Sequence, residues 1–243
     1  MSFPSYKGET CIAFLDVCGF KSKMRKGLAT AAEFLDKFYT RTHVATRDFN
    51  LNSSVHDTRV RSLIVSDCAV IFIDNSGSDR SVQRDLQTIL RLIKRINLDL
   101  ITHEPELPIM TTCSIDYGQF KYEERIGFAD TRKTYFLGEP YIKAFLDNKN
   151  LRTQPARCRV LVQDSNWPLY FNFQAFREAN PTLILEKTRK HCYFYWMLND
   201  RAPMKDFKKE YAKACRIHGQ AKYSDVVQVL KKYCVGQNST RLL

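Results

Sequence analysis

Apolar and polar positions along the chain switch repeatedly between two periods. Residues 11–17, CIAFLDV, form a short apolar run that ends in an acid shortly before Gly19, which predicts a buried strand and a turn. Over residues 30–49, Ala31, Phe34, Leu35 and Phe38 fall on one stripe of an amphipathic helix, with Thr30 as N-cap and Glu33 as its capping-box partner. Residues 59–73, RVRSLIVSDCAVIFI, hold two β-branched runs broken by Ser66-Asp67, a hairpin signal, and Asn75-Ser76-Gly77-Ser78 reads as a loop. Val82, Leu86, Ile89, Ile93, Ile96 and Leu100 stripe a second long helix over 80–101, closed by Pro105 and Pro108. Residues 109–122 alternate, with Gly118 as a bend, and 134–137 form a short strand. Gly138-Glu139-Pro140 then opens a helix to about Asn148. Further strand signals lie at 157–163 and 183–198, and Pro203 precedes a lysine-rich helical tail to about Cys234.

The order is β-α-β-β-α-β with additions, which predicts an α+β, ferredoxin-like βαββαβ domain with extra C-terminal strands. An antiparallel sheet covered by helices on one face is the expected architecture. Residues 8–200 read as that domain and 201–243 as a basic helical appendage.

Composition narrows the function classes. With 243 residues and 44% apolar content the chain supports a sizeable core. No apolar run is long enough to span a bilayer and the N-terminus has no signal-peptide pattern, so a cytoplasmic protein is expected. The eight cysteines form no CxxC and sit mostly in apolar segments, the pattern of reduced, small hydrophobic residues. His43, His56, His103, His191 and His218 show no metal spacing. A net charge of +12 attracts polyanions, among them nucleic acid, an anionic membrane surface and a nucleoside triphosphate.

Two acids carry candidate chemistry. Asp16 ends the first strand and Asp67 sits in the hairpin turn. A ferredoxin-like sheet places that strand centrally beside the hairpin, so both carboxylates point toward one site. Two close carboxylates repel unless a hard divalent ion such as Mg²⁺ or Mn²⁺ lies between them. Two such ions clamp the attacking and leaving oxygens of a phosphoryl displacement. On spacing alone, the plainer reading is that Asp67 is a turn residue and Asp16 a cap or loop residue.

The strings around these acids add a resemblance. Phe14-Leu15-Asp16-Val17-Cys18-Gly19-Phe20 looks like the first metal motif of the class III adenylate and guanylate cyclases. Val65-Ser66-Asp67-Cys68-Ala69-Val70-Ile71-Phe72 resembles their second, with Ser66 where the family has Gly. Phe136-Leu137-Gly138-Glu139-Pro140-Tyr141-Ile142-Lys143-Ala144 resembles their strand-Gly-helix element. The resemblance implies a homodimer with active sites at its interface and two Mg²⁺ or Mn²⁺ per site, held by Asp16, Asp67 and the Val17 carbonyl. It also implies a phosphate cradle at the amides of Cys18, Gly19, Phe20 and Lys21, and a triphosphate-binding lysine at Lys187.

The departures matter as much. The family's catalytic Asn and Arg fall at Ile142 and Leu146, leaving Lys143, Arg132 or Lys133 as nearby substitutes. The base-reading pair falls at Leu63 and Tyr135, with Arg61 on the same strand face as Leu63. This combination resembles the pyrimidine cyclases of bacterial antiphage defence, the Pycsar type, and implies UTP or CTP as substrate and a separate cyclic-nucleotide effector. UTP is favoured because Arg61 and tyrosine supply donors. A catalytically dead regulatory homologue and an RNA-binding ferredoxin-like domain are the alternatives, although carboxylates at the site repel RNA. The tail lysines Lys205, Lys208, Lys209, Lys213, Lys222, Lys231 and Lys232 read as a solvated helix face, with no stable nucleic-acid partner expected.

Overall fold

A computed structural model of the chain describes residues 5–52, 58–75, 81–103, 107–126, 132–150, 155–216 and 220–235. The elements run β1 (Tyr6–Val17), α1 (Phe20–Lys26), α2 (Leu28–Asn52), β2 (Thr58–Val65), β3 (Cys68–Asn75), α3 (Val82–Thr102), β4 (Thr111–Ile126), β5 (Arg132–Leu137) and α4 (Glu139–Asn150). They continue with β6 (Cys158–Leu161), α5 (Phe173–Ala179), β7 (Leu185–Lys187), β8 (His191–Phe194), α6 (Met204–Ala214) and α7 (Gln220–Val235). The strands form one sheet in the order β2-β3-β1-β4-β6-β8-β7, and β5 pairs with β4 outside that path. The α+β fold expected from the element order is the fold observed.

β1 lies inside the sheet because both of its faces are apolar. Cys11, Ala13, Leu15 and Val17 join one core with Phe34 and Phe38 of α2 and Ile89, Ile93 and Ile96 of α3. The alternate residues Ile12 and Phe14 join a second cluster with Phe72, Phe120, Tyr122 and the α4 residues Ala144, Tyr141 and Phe145. Helices therefore cover both faces, which corrects the one-face expectation: α4 has a sheet face of its own, opposite α2 and α3.

Two further corrections concern the first helices. The charged segment after Gly19 forms α1, which has no buried residue and so leaves no apolar stripe to read. α2 starts at Leu28, and the Ala31 amide already donates to the Gly27 carbonyl at 3.1 Å, so Thr30 lies within the first turn and is not its N-cap. The tail helices pack inward. Phe207, Tyr211 and Ala214 of α6 and Val226, Val227, Leu230 and Cys234 of α7 belong to the α2/α3-side core. Residues 76–78, Pro105, His56, His218 and the side chains of Arg132, Lys133 and Lys222 lie outside the described residues. Among the described residues no helix is long and apolar enough to cross a membrane, and all eight cysteines are free.

Candidate metal centre

The antiparallel register sets Asp16 opposite Cys68, so the end of β1 lies beside the β2–β3 turn that carries Asp67. The turn is fastened from two sides. The Val17 amide donates to the Asp67 carbonyl at 3.0 Å, and the Tyr39 hydroxyl of α2 donates to the Ser66 carbonyl at 2.9 Å. Ser66 stands at φ 55°, a left-handed conformation that glycine adopts freely and serine at a cost of about 1 kcal/mol.

Ligand atoms of Asp16, Asp67 and Cys68 all lie within 4.8 Å of one another, and each residue is half-buried. The Cys68 thiol donates to the Asp16 carboxylate at 3.2 Å and lies 3.9 Å from Asp67 Oδ1. Burial pushes the Asp16 carboxyl upward in pKa. The thiol bond and the charge of Lys149 oppose that rise, and the charge of Asp67 adds to it. Burial, the bond to Asp16 and the charges of both aspartates push the Cys68 thiol well above its ordinary range, so it is a neutral donor here. Burial and the Asp16 charge push the Cys18 thiol up to about 12.

A divalent cation fits this donor set. Two carboxylates are hard oxygen ligands suited to Mg²⁺ or Mn²⁺, and a cation between them removes their mutual repulsion. The soft sulfur of Cys68 suits neither ion, and its hydrogen bond orients Asp16 instead. Sequence reasoning missed this role, although its signal was plain enough: the cysteine follows Asp67 directly and alternates onto the Asp16 face.

The other sequence-predicted residues scatter. Gly19 stands at φ 85° and the amides of Phe20 and Lys21 open α1, where first-turn N–H groups have no intrahelical partner. The Cys18 amide is not free to join them, because it donates to the Met110 carbonyl at 2.8 Å. Leu63 packs against the second cluster on the Asp16 face. Arg61, on the same face of β2, is 7% exposed and ion-paired with Asp74 of β3, so guanidinium donors intended for a base are engaged there. Tyr135 is exposed, while its neighbour Phe136 packs under α4 with ring centroids 5.8 Å from Tyr141. β5 pairs with the β4 segment that adjoins Tyr6, so Tyr135 lies toward the opposite end of β1 from Asp16. Lys143 is ion-paired with Glu139 at 2.8 Å and donates to the Asp164 carbonyl. Ile142 and Leu146 are exposed. Lys187 pairs in register with Cys192, which faces the α2/α3 core, so Lys187 projects on the sheet face opposite Asp16.

A buried polar network lies beside the acids on the α4 face, with no sequence spacing to announce it. Asp147, near the end of α4, accepts from Ser114 of β4 at 2.7 Å and from Arg159 Nε of β6 at 2.9 Å, and pairs with His191 of β8 at 2.9 Å. Burial alone would raise the Asp147 carboxyl. The bonds from His191 and Ser114 and the charge of Arg159 outweigh it and hold the carboxyl at about 2.

No protein-family model and no curated protein sequence matches this chain. Solved structures do match. The adenylyl cyclase CyaB of P. aeruginosa superposes with a TM-score of 0.53 at 10% identity, covering 82% of this chain and 98% of that one. The dimeric guanylyl cyclase domain of the RhoGC fusion protein from the fungus Blastocladiella emersonii gives 0.55 at 9% identity, covering 79% and 98%. A bacterial light-regulated adenylyl cyclase gives 0.52 at 11% identity, covering 95% and 100%. The chain thus has the fold of adenylyl and guanylyl cyclase catalytic domains, and at these identities the likeness speaks for the fold alone.

Proposed function

We propose that this chain is a metal-dependent nucleotide cyclase. The observation that carries the reading is the convergence of Asp16 and Asp67, from the end of β1 and the β2–β3 turn, within 4.8 Å on a cyclase fold. Asp16 and Asp67, with the Val17 carbonyl, hold two Mg²⁺ or Mn²⁺ ions. Bound there, the ions lower the charge on the triphosphate and favour the nucleotide's 3′-oxygen as nucleophile at its own α-phosphorus. Cys68 fixes the orientation of Asp16. The Gly19–Lys21 amides take phosphate oxygens, as oriented backbone N–H groups do. The products are a 3′,5′-cyclic monophosphate and pyrophosphate.

The active assembly in this reading is a homodimer. Tyr135 lies toward the opposite end of β1 from Asp16 within one chain, so a second copy brings it to the metals. The exposed apolar residues Leu137, Ile142 and Leu146 suit burial against that copy. The substrate is a pyrimidine nucleotide, UTP before CTP, made into a second messenger for antiphage defence and read by a separate effector. What supports this is the base-reading end: Leu63 has no polar atom for a purine edge, and Tyr135 is an exposed aromatic with a hydroxyl. With Arg61 engaged by Asp74, the preference for uracil rests on Tyr135.

One observation favours a second reading, a catalytically dead regulatory homologue. Ile142 and Leu146 stand where the resembled family has hydrogen-bonding groups, and Lys143 is engaged elsewhere. One experiment separates these outcomes: the full chain incubated with each of the four NTPs and Mn²⁺, with products identified by mass spectrometry. Cyclic UMP is expected to dominate. Dominant cyclic AMP overturns the pyrimidine assignment, and no cyclic product from any nucleotide overturns the enzyme reading.

A further inference from the structure

With Ile142 and Leu146 apolar and Lys143 engaged, the α4 positions that the resemblance singles out offer no positive charge for a triphosphate. The last turn of α4 carries one. Its position follows from three contacts on the Asp16 face. Asp147 is bonded to Ser114 at 2.7 Å, which fastens this turn to β4. Two residues earlier on the same face of β4, Thr112 is the register partner of Asp16, and its hydroxyl donates to the Asp16 carbonyl at 3.4 Å. Phe145 packs edge-on against Phe14 with ring centroids 5.3 Å apart, and Phe14 precedes Asp16 by two positions, hence on one strand face. Lys149, one turn beyond Phe145, lays its ammonium over that ring at 4.4 Å and is otherwise exposed.

We infer that Lys149 binds the substrate's triphosphate beside Asp16 of its own subunit and supplies the positive charge that Ile142 and Leu146 cannot. The inference rests on the cyclase reading and adds a residue and a subunit assignment to it. The aromatic face of Phe145 holds the ammonium while leaving its donors directed to solvent. A lysine here also complements the carbonyl end of α4, a purely structural benefit that the following experiment separates.

Lys149→Ala and Lys149→Arg are compared with the unaltered full chain, using UTP and Mn²⁺ for turnover and the α,β-methylene analogue of UTP for binding. If Lys149 meets the triphosphate, the alanine variant loses about 100-fold in kcat/KM and binds the analogue more weakly. The arginine variant stays within about tenfold, because the charge is kept. Dimer mass stays unchanged in both, and the melting temperature of the alanine variant falls by no more than about 2–4 °C, the loss of the helix-end and ring contacts. Alanine-variant kinetics and binding within about twofold of the unaltered chain overturn the inference and leave the cyclase reading standing. If the unaltered chain neither turns over any NTP nor binds the analogue, the cyclase reading falls and this inference with it. Mixing Lys149→Ala with Asp16→Ala tests the subunit assignment. No recovery of activity is expected, because each site then lacks one of the two residues. Recovery means that Lys149 serves the partner's metals and overturns the same-subunit assignment.

Discussion

The sheet differs in character between the two ends of β1. At one end Asp16, Asp67 and the Cys68 thiol converge within 4.8 Å, fastened by backbone and side-chain hydrogen bonds. Toward the other end, Tyr135 and Leu137 of β5 stand exposed on the sheet face opposite α4, Ile142 and Leu146 stand exposed on α4, and the polar groups Arg61 and Lys143 are tied to Asp74 and Glu139. On the proposed cyclase reading, the difference follows from what each end is asked to do. A divalent cation accepts few ligand types, so a metal end leaves carboxylates at fixed places. A base pocket and a dimer face are built from shape and apolar area, which many residues supply.

The largest test of this contrast removes the metal end. Asp16→Ala and Asp67→Ala should each lower turnover by at least about 1,000-fold while the dimer persists by mass. Activity retained in either variant would dissolve the distinction between the two ends. Next, the double variant Leu63→Lys with Tyr135→Asp reinstates the polar pair that the resembled adenylate cyclases use on adenine. The UTP-to-ATP ratio of kcat/KM should fall by about 100-fold, measured by competition between the two nucleotides. An unchanged ratio would move base reading to other residues.

A third test concerns a charge buried under the start of α4. Asp116 is fully buried and accepts from the Ser165 hydroxyl. Burial pushes its carboxyl up to about 6, against the Ser165 and Tyr117 hydrogen bonds and the Lys143 charge. A carboxyl raised in the folded state favours folding below about pH 4, and that contribution is lost as pH rises through about 6. Asp116→Asn should therefore raise unfolding stability by about 2 kcal/mol at pH 8 and change little at pH 4, as read from urea titrations. A benefit equal at both values would show that the charge costs nothing. The smallest effect belongs to the metal turn. Ser66→Gly removes left-handed strain worth about 1 kcal/mol, so thermal unfolding should shift upward by about 2–3 °C.

How far the sequence foretold this molecule depends on the reach of each constraint. α3 was legible because Val82 through Leu100 repeat on one stripe, and the β1 and β2–β3 segments because short apolar runs stop at Asp16 and Ser66-Asp67. The second sheet face was hidden in β1 itself. CIAFLDV is apolar at both parities, which signals a strand buried on two sides, yet only the tertiary structure shows α4 on the second. α1 escaped because its residues contact solvent more than core. The Asp147–Arg159–His191 network joins residues on three separate elements, and no local period encodes such a meeting. Lys149 was overlooked for a related reason: its meaning comes from Phe145 and Phe14 beneath it, not from its neighbours in sequence.

The central claim is that Asp16 and Asp67 together make a divalent-metal centre. Mn²⁺ titration followed by electron paramagnetic resonance, with the α,β-methylene analogue of UTP present, tests it most directly. The unaltered chain should bind two Mn²⁺ per subunit, and Asp16→Asn and Asp67→Asn should each lose at least one of them. Superimposable titrations of the unaltered chain and both variants would contradict the assignment.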